Sequence, residues 1–151
     1  MNLATILSNA KVASEQEALK QALNKARHDA HIFIGRRRLE LDELPNHTIV
    51  KVAKEYDEVT FITAEGEYFH ITIFDEYNTL STHENLEILD AHRLGVLPQT
   101  YLDAINKAQE ACDESTKEET KRWLLIEAVT AAGVTATKEL LSEMEAHNAA
   151  D

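Results

Sequence analysis

An α+β fold follows from three observations. One stretch, Val59–Phe74, has the pattern of a β-hairpin. Helical spacing of apolar residues appears on both sides of it. Strand-like and helix-like segments are segregated along the chain rather than alternating, which argues against βαβ units. The predicted order is an N-terminal helix, an antiparallel β-meander of three to four strands, then a C-terminal cluster of about four helices. With 151 residues but only four Gly and two Pro, the composition disfavours a loop-rich all-β design. That length fits one domain, 1–151, with a real core. Subdivision into a helix-plus-sheet part, 1–78, and an acidic helical part, 79–151, is the alternative.

Taken in order, residues 2–10 form a short helix with Leu3, Ile6 and Leu7 on one side. Ser14-Glu-Gln-Glu17 is a capping box, in which Ser14 caps and Glu17 reaches back. It opens a helix at about 14–30, with Leu19, Ala22, Leu23 and Ala26 at helical spacing. His31-Ile-Phe-Ile34 suits a short strand ending at Gly35, and Leu39–Leu41 alternates as well. Thr48–Lys54 is a clearer strand, closed by a turn at Glu55–Glu58. In the hairpin, Ala64-Glu65-Gly66 is a three-residue loop with Gly66 at positive φ. Phe61 then faces Phe69, and Val59 faces Ile71. Alternation of side chains along a strand puts Val59, Phe61, Phe69, Ile71 and Ile73 on one apolar face, which helices are expected to cover. Thr60, Ile62, Tyr68, His70, Thr72 and Phe74 form the more polar face.

After Phe74 the period becomes helical. Ser81-Thr-His-Glu84 is a second capping box, opening a helix over 82–94 that stops at Leu94-Gly95. Pro98 sits in the first turn of the next helix, where its missing N–H costs little. Tyr101, Leu102, Ile105, Ala108 and Cys112 line that helix's inner face. Ser115-Thr-Lys-Glu118 is a third capping box. It leads into Trp123–Gly133, the most apolar segment of the chain and the expected buried core helix of this half. Thr135 or Thr137 caps a last helix carrying Leu140, Leu141 and Met144.

Charge and cysteine content bound the function. The formal net charge is −12. Residues 1–74 carry 11 acids against 9 bases, and residues 75–151 carry 16 against 6. Such a field repels nucleic acid and anionic membranes and favours a partner with a basic surface. Cys112 alone allows no internal disulfide, and no signal-like or membrane-spanning run is visible, so a cytoplasmic protein is expected. Phosphate-binding glycine loops, paired cysteines and nucleophile elbows are absent, and the chain leans away from catalysis, with no cofactor expected.

The leading functional reading is therefore an acidic protein–protein interaction module. The acids crowded at one connection, Asp113, Glu114, Glu118 and Glu119, are its candidate contact residues. In its sharper form they imitate a phosphate array and block the basic surface of a nucleic-acid-handling protein. The alternative is a small ligand-binding protein or enzyme using Tyr68, His70 and Thr72 on the polar sheet face, with histidine as acid or base. Self-assembly into a homo-oligomer is a third reading. His83, Glu87 and Asp90 at i, i+4 and i+7 would share one helix face, but such spacing arises easily in an acidic chain. No metal is assigned to them. Arg36-Arg37-Arg38 is a small basic cluster, too small a footprint for nucleic acid. The helix–Gly133–helix pattern is rejected as a DNA reader, because Lys138 stands among Glu139, Glu143 and Glu145.

Overall fold

The computed structural model describes residues 3–74, 79–82 and 84–148. They form an α+β fold in the expected sequence: a long helix, a four-stranded antiparallel sheet, then helices. The elements are α1 (Leu3–Arg37), a 3-10 turn (Leu44–Asn46), β1 (Ile49–Glu55), β2 (Glu58–Thr63), β3 (Tyr68–Phe74), β4 (Thr79–Ser81), α2 (Ile88–Arg93) and α3 (Gln99–Asn148). Two compact units divide the chain, residues 1–110 and 111–151.

In the first unit, α1 is one helix where two helices and a strand were expected. His31–Ile34 is helical. Leu23, Ala30 and Ile34 are buried along α1 with Ala26 and Phe33 half-buried, a 3–4 spacing that carries through the presumed strand without a breaker. The fourth strand is instead Thr79–Ser81, paired to the end of β3. Arg38 bridges Tyr68 on the same edge, and Leu39 N–H donates to the Tyr68 carbonyl at 2.7 Å.

The meander has the expected register, with Phe61 opposite Phe69 and Val59 opposite Ile71. Gly66 has φ +77°, and Thr63 N–H donates to the Glu67 carbonyl at 2.9 Å to close the loop. On the β1 side the register slips between Ile49 and Lys51, so Val50 is an extra residue in that strand.

The helices cover the opposite face from the one expected. Ile62 and Tyr68 join Ala30 and Ile34 of α1, Ala91 and Leu94 of α2, and Leu86, Val96 and Leu97 in one core cluster. Thr60, His70 and Thr72, on the same side as Tyr68, are buried too. On the other side Phe69 is buried, while Val59, Phe61, Ile71 and Ile73 are only half-buried and Val52 is exposed. Hydroxyls and an imidazole do not forbid burial when each finds a partner, and here they do. Polarity alone therefore misassigned the face.

Helix α2 ends as predicted. Gly95 has φ +84°, its N–H donates to the His92 carbonyl at 2.9 Å, and Val96 N–H donates to the Ala91 carbonyl at 2.8 Å. This pair of bonds is the Schellman closure, which needs a left-handed residue after the helix. The start of α2 is later than expected, with Glu87 extended at φ −66°, ψ 154° as its N-cap. Phe33 of α1 then packs on Tyr101 of α3, ring centroids 4.9 Å apart.

The second unit corrects the helix count. Three predicted C-terminal helices are one, since α3 runs on through Ser115–Glu118 and Gly133. The hydroxyls of Thr116, inside the presumed capping box, and of Thr120 just after it donate to the carbonyls four residues back, at 3.0 Å each, so polar side chains of this stretch are satisfied within one helix. Nor is Trp123–Gly133 a buried core helix. Trp123, Leu124, Leu125, Ile126 and Val129 are all exposed.

Candidate functional site

Three groups of side chains bear on function. The first is the row Tyr68, His70 and Thr72, which the strand register sets side by side on β3. Thr60 Oγ1 lies 2.9 Å from His70 Nδ1 across the β2–β3 pair, and both residues are buried. Thr72 Oγ1 donates to Glu84 Oε2 at 3.4 Å. Leu86 N–H donates to the Tyr68 hydroxyl at 3.3 Å. Burial pushes the Tyr68 phenol above its ordinary value, opposed by that hydrogen bond and by the charge of Arg38. This row is a satisfied polar layer within the core. The adjoining pocket, lined by Ala53, Thr60, Leu86 and Leu94 with Glu55, Glu58, Asp90 and Arg93 among its polar residues, encloses about 20 Å³. That is room for one water and not for a substrate.

The second group is the acids at 113–119. They do not cap a connection but lie along α3. Asp113, Glu114 and Glu118 are exposed and Glu119 is half-buried. Lys117 lies among them and Lys121 and Arg122 follow within one turn, and Lys121 Nζ lies 2.8 Å from Glu118 Oε1. That contact raises the Lys121 pKa. Helical spacing turns the cluster into mixed-sign pairs rather than a single-sign array.

The third group was not visible as a motif. His47, Glu65 and Glu67 converge at the closed end of the hairpin. His47 Nδ1 is 3.1 Å from Glu67 Oε2 and 3.8 Å from Glu65 Oε2. All three ligand atoms lie within 4.8 Å of one another. Glu67 Oε2 is buried and accepts no hydrogen bond. Glu65 and Glu67 reach this point because they flank Gly66, whose left-handed turn brings both strand ends together. His47 arrives because Ala64 N–H donates to the Thr48 carbonyl at 3.0 Å, prolonging the β1–β2 pairing by one step. Arg37 Nη1 donates to the Glu65 carbonyl at 3.2 Å, and its guanidinium lies 5.1 Å from the centre of the Phe33 ring. The arginine cluster is thus partly committed to holding the hairpin against α1.

The face His83, Glu87 and Asp90 is not assembled by a helix. His83 lies outside the described residues, and Glu87 precedes α2. Asp90 pairs instead with Arg93 at 3.1 Å, and Arg93 also holds Glu55 of β1. No helix among the described residues is long and apolar enough to cross a membrane. No family model, no curated protein and no solved structure matches this chain.

Proposed function

We propose that this protein is a protein–protein interaction module that docks through residues 111–148 of α3. The observation that carries the reading is the exposure of four consecutive residues, Trp123 at 56%, Leu124 at 61%, Leu125 at 65% and Ile126 at 44%. Successive helical residues point about 100° apart, so four in a row cover every side. Val129, Val134 and Leu141 are exposed as well. Burying one such side chain gains roughly 1.5–3 kcal/mol. A single partner helix covers one stripe, here Trp123, Ile126, Val134 and Leu141, and burying that stripe on both copies works against the roughly 4–15 kcal/mol lost on association.

A second copy of the chain is the occupant that fits. Lys117, Lys121 and Arg122 precede the apolar stretch, and Glu139, Glu143 and Glu145 follow it. Laid antiparallel, two such helices set these individual bases against these acids, but Asp113, Glu114, Glu118 and Glu119 accompany the bases and Lys138 the acids, so both ends are net acidic and net charge does not choose the direction. Ala131, Ala132 and Gly133 fall near the centre of that pairing, where small side chains let backbones approach.

The inhibitor form of the interaction reading, with Asp113, Glu114, Glu118 and Glu119 facing the basic surface of a nucleic-acid-handling protein, draws support from the net charge of the C-terminal half. The neighbouring bases weaken it. Sedimentation of the full chain across concentrations, at low and high salt, separates the two. Apolar docking predicts a dimer retained at high salt and lost in Ile126→Asp. A monomer at every concentration would overturn the second copy as occupant. Capture of a basic protein at low salt only would then favour the charge-driven form.

A further inference from the structure

We propose that His47, Glu65 and Glu67 form a binding site for one divalent transition-metal ion, with zinc the best fit and manganese or iron(II) the nearest competitors. Zinc bonds to imidazole nitrogen and carboxylate oxygen are about 2.0–2.2 Å long, which sets neighbouring ligand atoms of a tetrahedral site roughly 3.3 Å apart. The observed separations from His47 Nδ1, 3.1 and 3.8 Å, bracket that value. The closer pair is informative in a second way. Glu67 Oε2 is buried, yet it accepts no hydrogen bond, even with His47 Nδ1 beside it. Two polar atoms in contact and not aimed at each other are the arrangement of two ligands aimed at a third atom. A buried carboxylate oxygen without a donor is costly, and a cation there removes the cost.

The donor set points to the metal class. One imidazole with two carboxylates is harder than a thiolate site and softer than an all-oxygen cage, which disfavours calcium and magnesium. Three protein ligands leave at least one position for water, as in open zinc sites. The ligands come from the chain before β1 and from either side of Gly66 in the β2–β3 connection. Bound metal would therefore clip the 3-10 turn and its exit to the β2–β3 loop, and it would stabilise the first unit against unfolding.

The competing explanation is an imidazolium held by two glutamates, which needs no metal. Titration of zinc into chelator-treated full-length protein, followed by calorimetry, decides between them. The expected result is saturation at one equivalent per chain and a rise in melting temperature with zinc. Glu67→Gln and His47→Gln should each weaken binding at least tenfold. Glu65→Gln is the safeguard, because its side chain is 61% exposed and its loss threatens the fold least. It too should weaken binding and abolish the thermal shift. His28→Gln and His31→Gln, on exposed positions of α1, should change neither. No saturable binding, or binding that survives all three ligand variants, would overturn the proposal.

Discussion

The two units differ in where their apolar residues lie: the first has a buried core, and the described residues of the second expose their apolar run. In the first, modest side chains such as Ala30 and Ala91 are fully buried, and even hydroxyls and an imidazole lie in the core. In the second, the most apolar run of the sequence is exposed along α3. Hydrophobicity therefore measures a demand for burial, not where the demand is met. The first unit meets much of it internally, around Ala30, Ile34 and Tyr68, while Leu41, Val50, Val52, Leu80 and Leu89 stay exposed there, and we assign the second unit's demand to another chain.

The largest effect expected from breaking this contrast is at Tyr68. Tyr68→Ala should destabilise the first unit by about 3–5 kcal/mol in denaturant unfolding, since it empties a fully buried site and leaves the Leu86 N–H without its acceptor. Trp123→Ala should leave that unfolding transition almost unmoved, yet shift the solution mass toward monomer. Equal destabilisation by both would mean that the segment is packed within the chain.

Thr60→Val tests the buried polar layer. It keeps the shape and removes the partner of His70 Nδ1, so a loss of about 1–3 kcal/mol is expected. An unchanged midpoint would show that the pair contributes nothing. Raised pH probes the same layer through Tyr68. Its phenol is pushed above 10.0 in the folded protein, so the unfolded chain gives up its proton first. The stability it supplies is complete below pH 10 and declines as pH climbs from there through the raised folded value. Tyr68→Phe should lack that alkaline component in urea melts taken above pH 10.

The smallest and sharpest comparison uses one substitution twice. Gly95→Ala places a Cβ at φ +84°, where nothing crowds it but the backbone disfavours it, and should cost about 1 kcal/mol. Gly133→Ala lies inside α3 with open space around it, and should stabilise the helix by about 0.5–1 kcal/mol. Circular dichroism melts of the two variants should move in opposite directions.

These residues also show how much was legible beforehand. Gly66 and Gly95 announced their turns because a left-handed backbone admits few other residues. The Phe61–Phe69 register followed from the loop length. Ser-x-x-Glu patterns were less informative, because the same spacing occurs inside α3, where threonine hydroxyls return to the preceding turn. The strand proposed at His31–Ile34 failed because a short apolar run has no period of its own, and α1 supplied one. The sheet faces were inverted because pairing partners for Thr60, His70 and Tyr68 lie across strands or in a distant loop. The His47, Glu65 and Glu67 cluster was hidden by Val50. Without that extra residue, the pairing carried back from Lys51 and Ile62 would set His47 opposite Gly66 rather than Glu65, a one-residue slip that changes which face its side chain takes.

That extra residue also bears on aggregation. Strand β1 is an edge of the sheet, and an edge with free backbone groups invites pairing with another chain. The irregularity at Val50 interrupts the regular spacing such an intruder must match, and Lys51 and Lys54 add charge along the same strand. Replacing both lysines by valine, or deleting Val50, should turn a guarded border into a seed for fibrils, observable as dye-binding aggregates on prolonged incubation.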